Sequence, residues 1–308
     1  MAIIRGTYVT RLSGKVGDVV YRMRDGQNIA SQKASVVKNP RTDAQQTQRM
    51  IMATVSAAYS AMKEICDHSF EGITYGSKSM GEFMRRNLAV MKSQQQEFNA
   101  KGNPYMLPNP LIVSNGSIPT IAIDSVTANN VRIELTTGYN VPQAINALTV
   151  KQFHDLLGIE IGDQITIVGL GVNENVKAYE SENITQFKTN FAYARLVFKT
   201  TSGATTLMSS GSINTDALDT DNSQNYNAVS FTAASENDPL VVNLNIPDMS
   251  DSANHGCAGT IIISRKTGTN WLRSTQILKV ETMFNNTRAE ILPTYSPTGN
   301  KYLNNAIV

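Results

Sequence analysis

The sequence predicts an α+β protein: an extended N-terminal arm, a helical hairpin, then a mainly antiparallel body built as a β-sandwich or open β-barrel. Three observations predict it. Residues 1–41 are broken by Gly6, Gly14, Gly17 and Gly26 and carry only short apolar runs such as Val19-Val20-Tyr21. Two stretches between residues 42 and 104 repeat apolar side chains at spacings of three and four, the period of a helix with one buried face. From about residue 105 apolar and polar residues alternate, the period of a strand with one wet side. The chain of 308 residues is long enough to bury a proper core. It divides into a basic arm (1–41), a hairpin (42–104), a β-rich body (105–293) and a C-terminal tail (294–308).

The arm is read from its charge. Residues 1–50 hold nine cations (Arg5, Arg11, Lys15, Arg22, Arg24, Lys33, Lys38, Arg41 and Arg49) against Asp18, Asp25 and Asp43, a net +6. The whole chain is +2, so the remainder is −4. Such a split suits a segment that lies against nucleic acid or an acidic neighbour. Tyr8 and Tyr21 are the only aromatics in the first 50 residues, thin for stacking on single strands. Docking on the acidic body of another copy is therefore the preferred reading. The segment is too polar and too glycine-broken to keep a core of its own.

The hairpin opens at Asn39-Pro40-Arg41-Thr42, where Thr42 and Gln45 have the form of a capping box. Ile51, Val55, Ala58, Met62 and Ile65 then form one stripe, either core or facing a partner. Ser79 and Glu82 form a second capping-box pattern, with Met80, Phe83, Met84, Leu88 and Met91 on the apolar side of the helix it opens. Six of the 12 methionines (Met50, Met52, Met62, Met80, Met84 and Met91) fall here; gap-filling in a core is the preferred role, an adaptable binding face the alternative.

In the body, Val131, Ile133 and Leu135 alternate with Arg132 and Glu134. Ile121 and Ile123, Ile165 and Ile167, and Val242, Leu244 and Ile246 repeat that period. A short helix is expected from Thr149 through Phe153 and Leu157. Residues 201–226, dense in Ser, Thr, Asp and Asn, are expected to form a long surface loop. Residues 259–264 and 271–280 read as a hairpin around the five-residue loop 266–270.

No chemistry-bearing motif stands out. Gly169-Leu170-Gly171 follows a strand, but Glu174 stands where a dinucleotide fingerprint needs glycine, so a strand ending in a flexible turn is expected. Cys66-Asp67-His68 and His255-Gly256-Cys257 would supply four zinc ligands if they converged; one-residue gaps are unusual for such a site. Asp216, Asp219 and Asp221 lack the glycine and the terminal glutamate of a helix-loop-helix calcium site. No serine sits in a G-x-S-x-G elbow. His154 is the third histidine, and Cys66 lies late in a helix, where the dipole disfavours a thiolate. The expectation is a protein without catalytic, cofactor or metal residues and without a small-molecule substrate. Two cysteines give no disulfide framework. Neither a signal peptide nor an 18-residue apolar run is present, which implies no membrane partner and synthesis in a cytoplasm. Only 17% of residues are charged, below the usual quarter, and an amide-rich surface is easily desolvated against a partner.

Some strings resemble a known group. Ser13-Gly14-Lys15-Val16-Gly17, then Asn39-Pro40-Arg41-Thr42 with Gln45 and Arg49, is similar to the opening of an uncharacterised protein family of Bacteroidota and their phages. Residues 111–117 (LIVSNGS), Ser264-Arg265-Lys266 and Trp271-Leu272-Arg273-Ser274 resemble later sequences of that group. The resemblance implies context, a gut-type bacterium or its virus, and carries no site residues. With the arm and the low-charge surface, it leads to the expectation of a virion structural subunit: a capsid, head-decoration or head-to-tail ring protein. Its partners would be copies of itself and other virion proteins. Alternatives are a nucleic-acid-binding packaging or cargo protein acting through the arm, and a β-sandwich adhesin or fibre component.

Overall fold

The computed structural model describes residues 2–4, 14–24, 27–33, 42–66, 69–73, 77–101, 110–127, 131–179, 182–200, 203–246 and 254–281. The chain falls into two compact units, residues 1–46 and 47–308. In the first, β1 (Ala2–Ile4), β2 (Gly14–Val16), β3 (Val19–Arg24) and β4 (Gln27–Gln32) form an antiparallel sheet in the order β1-β4-β3-β2. The extended segments of the arm thus hydrogen-bond to one another. Gly17, at φ +58°, supplies the left-handed residue of the β2–β3 turn.

The second unit begins with helices. Thr42 Oγ1 accepts the Gln45 amide at 3.4 Å, capping α1 (Asp43–Ala61) as its sequence suggested. A four-residue α2 (Lys63–Cys66) and α3 (Ser77–Lys101) complete the hairpin. The expected cap at Ser79 is overturned. The helix starts two residues earlier, and the buried Ser79 hydroxyl donates to Cys66 O at 2.8 Å, tying α3 to the end of α2. Glu82 faces along its own helix and accepts from Arg85 and Arg86.

The body follows in order: β5 (Ile112–Ser114), β6 (Ile123–Thr127), β7 (Arg132–Leu135), α4 (Val150–Leu157), β8 (Gln164–Tyr179), β9 (Glu182–Val197), β10 (Met208–Ser209), β11 (Ser212–Ile213), β12 (Val229–Thr232), β13 (Val241–Leu244), β14 (Asn254–Thr267), β15 (Asn270–Arg273), β16 (Gln276–Ile277) and β17 (Lys279–Val280). All the strand pairings between these elements are antiparallel. A central sheet runs β15-β14-β8-β9, with β17 also on β14; a second runs β12-β13-β7-β6.

Alternation sorts the side chains into three layers. Ile165, Ile167, Ala194, Leu196, Ile261 and Ile263 share one core with Val126, Ile133, Leu135, Phe231, Val242 and Leu244 of the second sheet. Val168, Leu170, Ala258 and Ile262, on the opposite face, share another with Ile51, Val55, Met62, Phe83 and Met91 of the helices. The central sheet is thus apolar on both faces. At one end of the sandwich α4 drives Phe153 between Phe198 and Phe231, at ring separations of 5.6 and 5.1 Å. A full capping box of Thr149 and Gln152 starts that helix, and Gly158 at φ +66° ends it.

Three expectations about the body are corrected. Gly169 and Gly171 lie within β8, and Gly169 is paired with Gly259 of β14. A Cβ on Gly169 would lie 2.9 Å from Leu244 Cδ2, and one on Gly259 would lie 2.9 Å from Ile133 Cδ1 and from Val131 Cγ1. These glycines let the second sheet approach. Residues 203–226 are mostly irregular and exposed, as expected, but they are more than a surface loop. β10 and β11 lie in them, Leu207, Met208, Ile213, Ala217 and Leu218 are buried, and residues 217–224 cover the outer edge of β9 through Arg195–Gln224, Val197–Asp219 and Lys199–Ala217 hydrogen bonds. The β14–β15 turn has two residues instead of five, because pairing continues to Thr267–Asn270 and Gly268, at φ +63°, turns the chain. Nor is 271–280 one strand. It breaks after Arg273, and its later pieces pair with β5 and β14.

Candidate functional site

The segments around Glu71, Gly116 and Arg273 meet at one junction. Phe70 and Asn115 form a parallel bridge, with Glu71 N to Asn115 O at 2.9 Å and Asn115 N to Ser69 O at 3.0 Å. The Glu71 carboxylate accepts the Ser117 amide at 2.8 Å and its hydroxyl. Thr275 Oγ1 accepts from Gly116 N at 3.1 Å and donates to Gly116 O at 3.0 Å, while Ile118 N reaches Arg273 O at 2.8 Å. A Cβ on Gly116 would fall 2.3 Å from Arg273 O and 2.6 Å from Glu71 Oε2, so only glycine fits. Residues 111–117 and 271–274, two of the strings on which the resemblance rests, are brought together here. Beside them the fully buried Asn87 of α3 acts as a strand partner for β5, exchanging hydrogen bonds of 2.7 and 2.9 Å with the Ile112 backbone.

Next to the junction a polar row crosses the helix-facing side of the central sheet. The registers place Arg195 of β9 opposite Thr166 of β8, Gln164 opposite Ser264 of β14, and Ser264 opposite Arg273 of β15. These residues, with Glu64, Ile65, Ser69 and Ile262, enclose a cavity of about 20 Å³. Arg273 is only 5% exposed, and its guanidinium lies 4.6 Å from the Trp271 ring centroid. Burial, and next the neighbouring Arg195, push its pKa down to about 10 against the opposing pull of Glu71. The Arg195 Nε is buried with no hydrogen-bond partner. Above the row, the Tyr193 hydroxyl donates to Glu64 and lies 3.2 Å from Gln224 Oε1; burial first, then Glu64, raises its pKa. A second ionic cluster sits near α4, where Arg265 binds the buried Asp163 through Nε at 2.9 Å and Nη2 at 2.7 Å, and Glu160 through Nη1 at 2.7 Å.

The residues singled out from the sequence are dispersed. Lys15, Arg22, Lys33 and Arg49 are exposed, Arg24 ends β3, and Arg5, Arg11, Lys38 and Arg41 lie outside the described residues. Ile51, Val55, Ala58, Met62 and Ile65 are all buried between the helices and the central sheet. Cys66 belongs to that same core, whereas Cys257 lies between the two sheets, so the zinc set does not form. His68 lies outside the described residues. The Cys257 thiol is pushed up by burial, and next by Glu281, whose Oε2 it faces at 3.6 Å. Asp219 accepts the Asn222 side-chain amide at 2.8 Å, a bond that lowers its pKa and belongs to the local turn. His154 is buried against Phe198, with both ring nitrogens unpartnered.

Sequence reasoning missed Glu71, Arg195 and Thr275 altogether. Gly116 and Arg273 stood within quoted strings, but nothing local told that their side chains or backbone would meet. Below this junction an open groove of about 750 Å³ runs between residues 120–123 and 275–280, where Ile277 is exposed. Among the described residues no three His, Cys, Asp or Glu side chains gather as metal ligands, and no helix is long and apolar enough to cross a membrane. No family model, no curated protein and no solved structure matches the chain.

Proposed function

We propose that this chain is a non-enzymatic structural subunit of a multi-copy assembly, a bacteriophage virion protein whose N-terminal unit joins neighbouring copies. One observation carries the reading. Among the residues of the N-terminal sheet whose side chains are described, 14–22 and 29–32, none is buried: Val19, Val20, Tyr21, Ile29 and Ala30 are half-covered and Val16 is 69% exposed. A sheet of strands three to six residues long whose described side chains are all exposed or only partly covered is marginal on its own and gains stability from a second surface. A neighbouring copy of net acidic body, presented many times over, is a complementary one.

A second feature supports the same reading. β14 is described only from Asn254, opposite Asn173, and residues 174–179 and 182–187 pair only with each other among the described residues. That leaves a two-stranded ribbon of roughly 20 Å, again marginal unless it rests on something.

Light scattering on the full chain and on a chain lacking residues 1–41 tests the proposal. The full chain is expected as a multimer and the truncated one with fewer copies per particle; an unchanged copy number would overturn it. Exposed Lys15, Arg22 and Lys33 keep a packaging role as the second reading. Phosphate contacts by these three would weaken nucleic-acid binding with a log–log salt slope of about −2 to −3, and a salt-independent affinity would exclude it.

A further inference from the structure

The open groove beside the junction is bordered by strands at sheet edges. Among the described residues β6 pairs only with β7, β16 only with β5 and β17 only with β14, and Ile123, Gln276, Ile277, Lys279 and Val280 of these three strands line the groove. Its surface is largely aliphatic: Ile121 and Leu278 are buried, Ile123 and Val280 are half-covered, and Ile277 is 48% exposed. The polar side chains along it are mostly engaged. Thr120 Oγ1 donates to Thr275 O at 2.9 Å, Thr275 Oγ1 to Gly116 O at 3.0 Å and Gln276 Nε2 to Ile121 O at 3.3 Å. Only the exposed Lys279 adds a further polar side chain to the lining.

A small ligand is fixed by several convergent polar groups, which this surface lacks. Edge strands beside aliphatic side chains suit an extended peptide instead, through main-chain hydrogen bonds at an edge and alternate side chains in the hollow. The chain itself supplies such a segment. Val280 borders the groove and the described residues end at Glu281, so residues 282–308 continue from its rim. In that sequence Thr287, Ala289 and Ile291 alternate with Arg288 and Glu290, the period of a strand with one wet face, and Pro293 closes the run. Residues 282–286, ending in Asn285-Asn286, make a connection of the length and composition that returns a chain as a hairpin. So short a tether gives the chain's own segment an effective concentration that another copy does not match.

We propose that residues 287–291 lie extended in this groove, along β16 and β17 of their own chain, and cover Ile277. They would close an edge that otherwise invites pairing with unrelated chains.

Hydrogen exchange on the full chain, read by mass spectrometry, tests this with Ile291→Asp. Amides of residues 275–280 are expected to exchange at least about tenfold faster in the variant, while those of residues 164–170 keep their rate. Unchanged exchange at 275–280 would overturn the proposal. So would protection of 275–280 that fades when the unaltered chain is diluted, since a second copy would then fill the groove. Where Ile291→Asp also speeds residues 164–170, trypsin on the unaltered chain decides. Cleavage after Arg288 is expected to be at least about tenfold slower than in a synthetic peptide of residues 282–308, and equal rates refute the seating.

Discussion

His154 shows what burial does to a titratable ring. Its surroundings are Phe153, Phe198 and the wall of the sandwich, it is 3% exposed, and neither nitrogen has a partner. Desolvation therefore lowers its pKa below 6.5, against the opposing pull of Asp163 and Asp155. With the folded value depressed, the unfolded chain binds more protons, so stability declines as pH falls below about 6.5 until the folded pKa is reached. Replacing the ring with an apolar one of similar size removes both the slope and the orphaned nitrogens. His154→Leu is expected to gain about 1 kcal/mol at neutral pH and to flatten the dependence between pH 5 and 7 in urea titrations; a variant with an unchanged slope would contradict this. At this scale the sequence was partly legible. Thr42 with Gln45 is a local signal that the folded chain uses where it stands, and the Thr149–Gln152 box, which has the same spacing, went unread. Ser79 with Glu82 carries the same pattern, but a distant carbonyl, Cys66 O, claims the serine hydroxyl.

At the scale of elements, the close approach of the two sheets rests on the Gly169–Gly259 pair. A glycine in a strand ordinarily costs about 0.5–1 kcal/mol relative to alanine, so an alanine there would stabilise if space allowed. Branched side chains of Val131 and Ile133 stand 2.9 Å from where the new methyl would sit. Gly259→Ala is accordingly expected to cost roughly 1–3 kcal/mol, read as a lowered urea midpoint with an unchanged slope. Gly81, exposed on α3 with nothing within 4 Å of its missing Cβ, is the counterpart; Gly81→Ala should gain about 0.5–1 kcal/mol. A reversal of either sign would remove the packing argument. Periodicity revealed the two long helices and strands such as β7 and β13, and it gave no sign of β9 over residues 182–197. It failed for residues 203–226, whose apolar side chains are too sparse to show a period yet are spent on sealing the edge of β9. It also failed for β8, where glycines that read as a turn are the flat places against which a second sheet lies.

For the whole molecule, the order of hairpin and β-rich body was readable, because composition changes where the architecture does. The three layers were not, since the double-sided burial of the central sheet depends on which elements fall on either side of it. The Arg195–Arg273 cavity was likewise invisible: its parts come from separate strands and a four-residue helix, and no spacing encodes their meeting. The second unit holds both cores by itself. A chain without residues 1–41 is therefore expected to melt within about 2 °C of the full chain when both are monomeric, and a larger drop would mean that the first unit props up the second. The placement of Cys66 and Cys257 in separate cores has a practical corollary. An intact molecule offers oxidants no intramolecular bridge to close, and reductants none to open. A band at twice the chain mass on a non-reducing gel would therefore record chains that had opened and crosslinked, telling of the sample's history and nothing of any contact between folded copies.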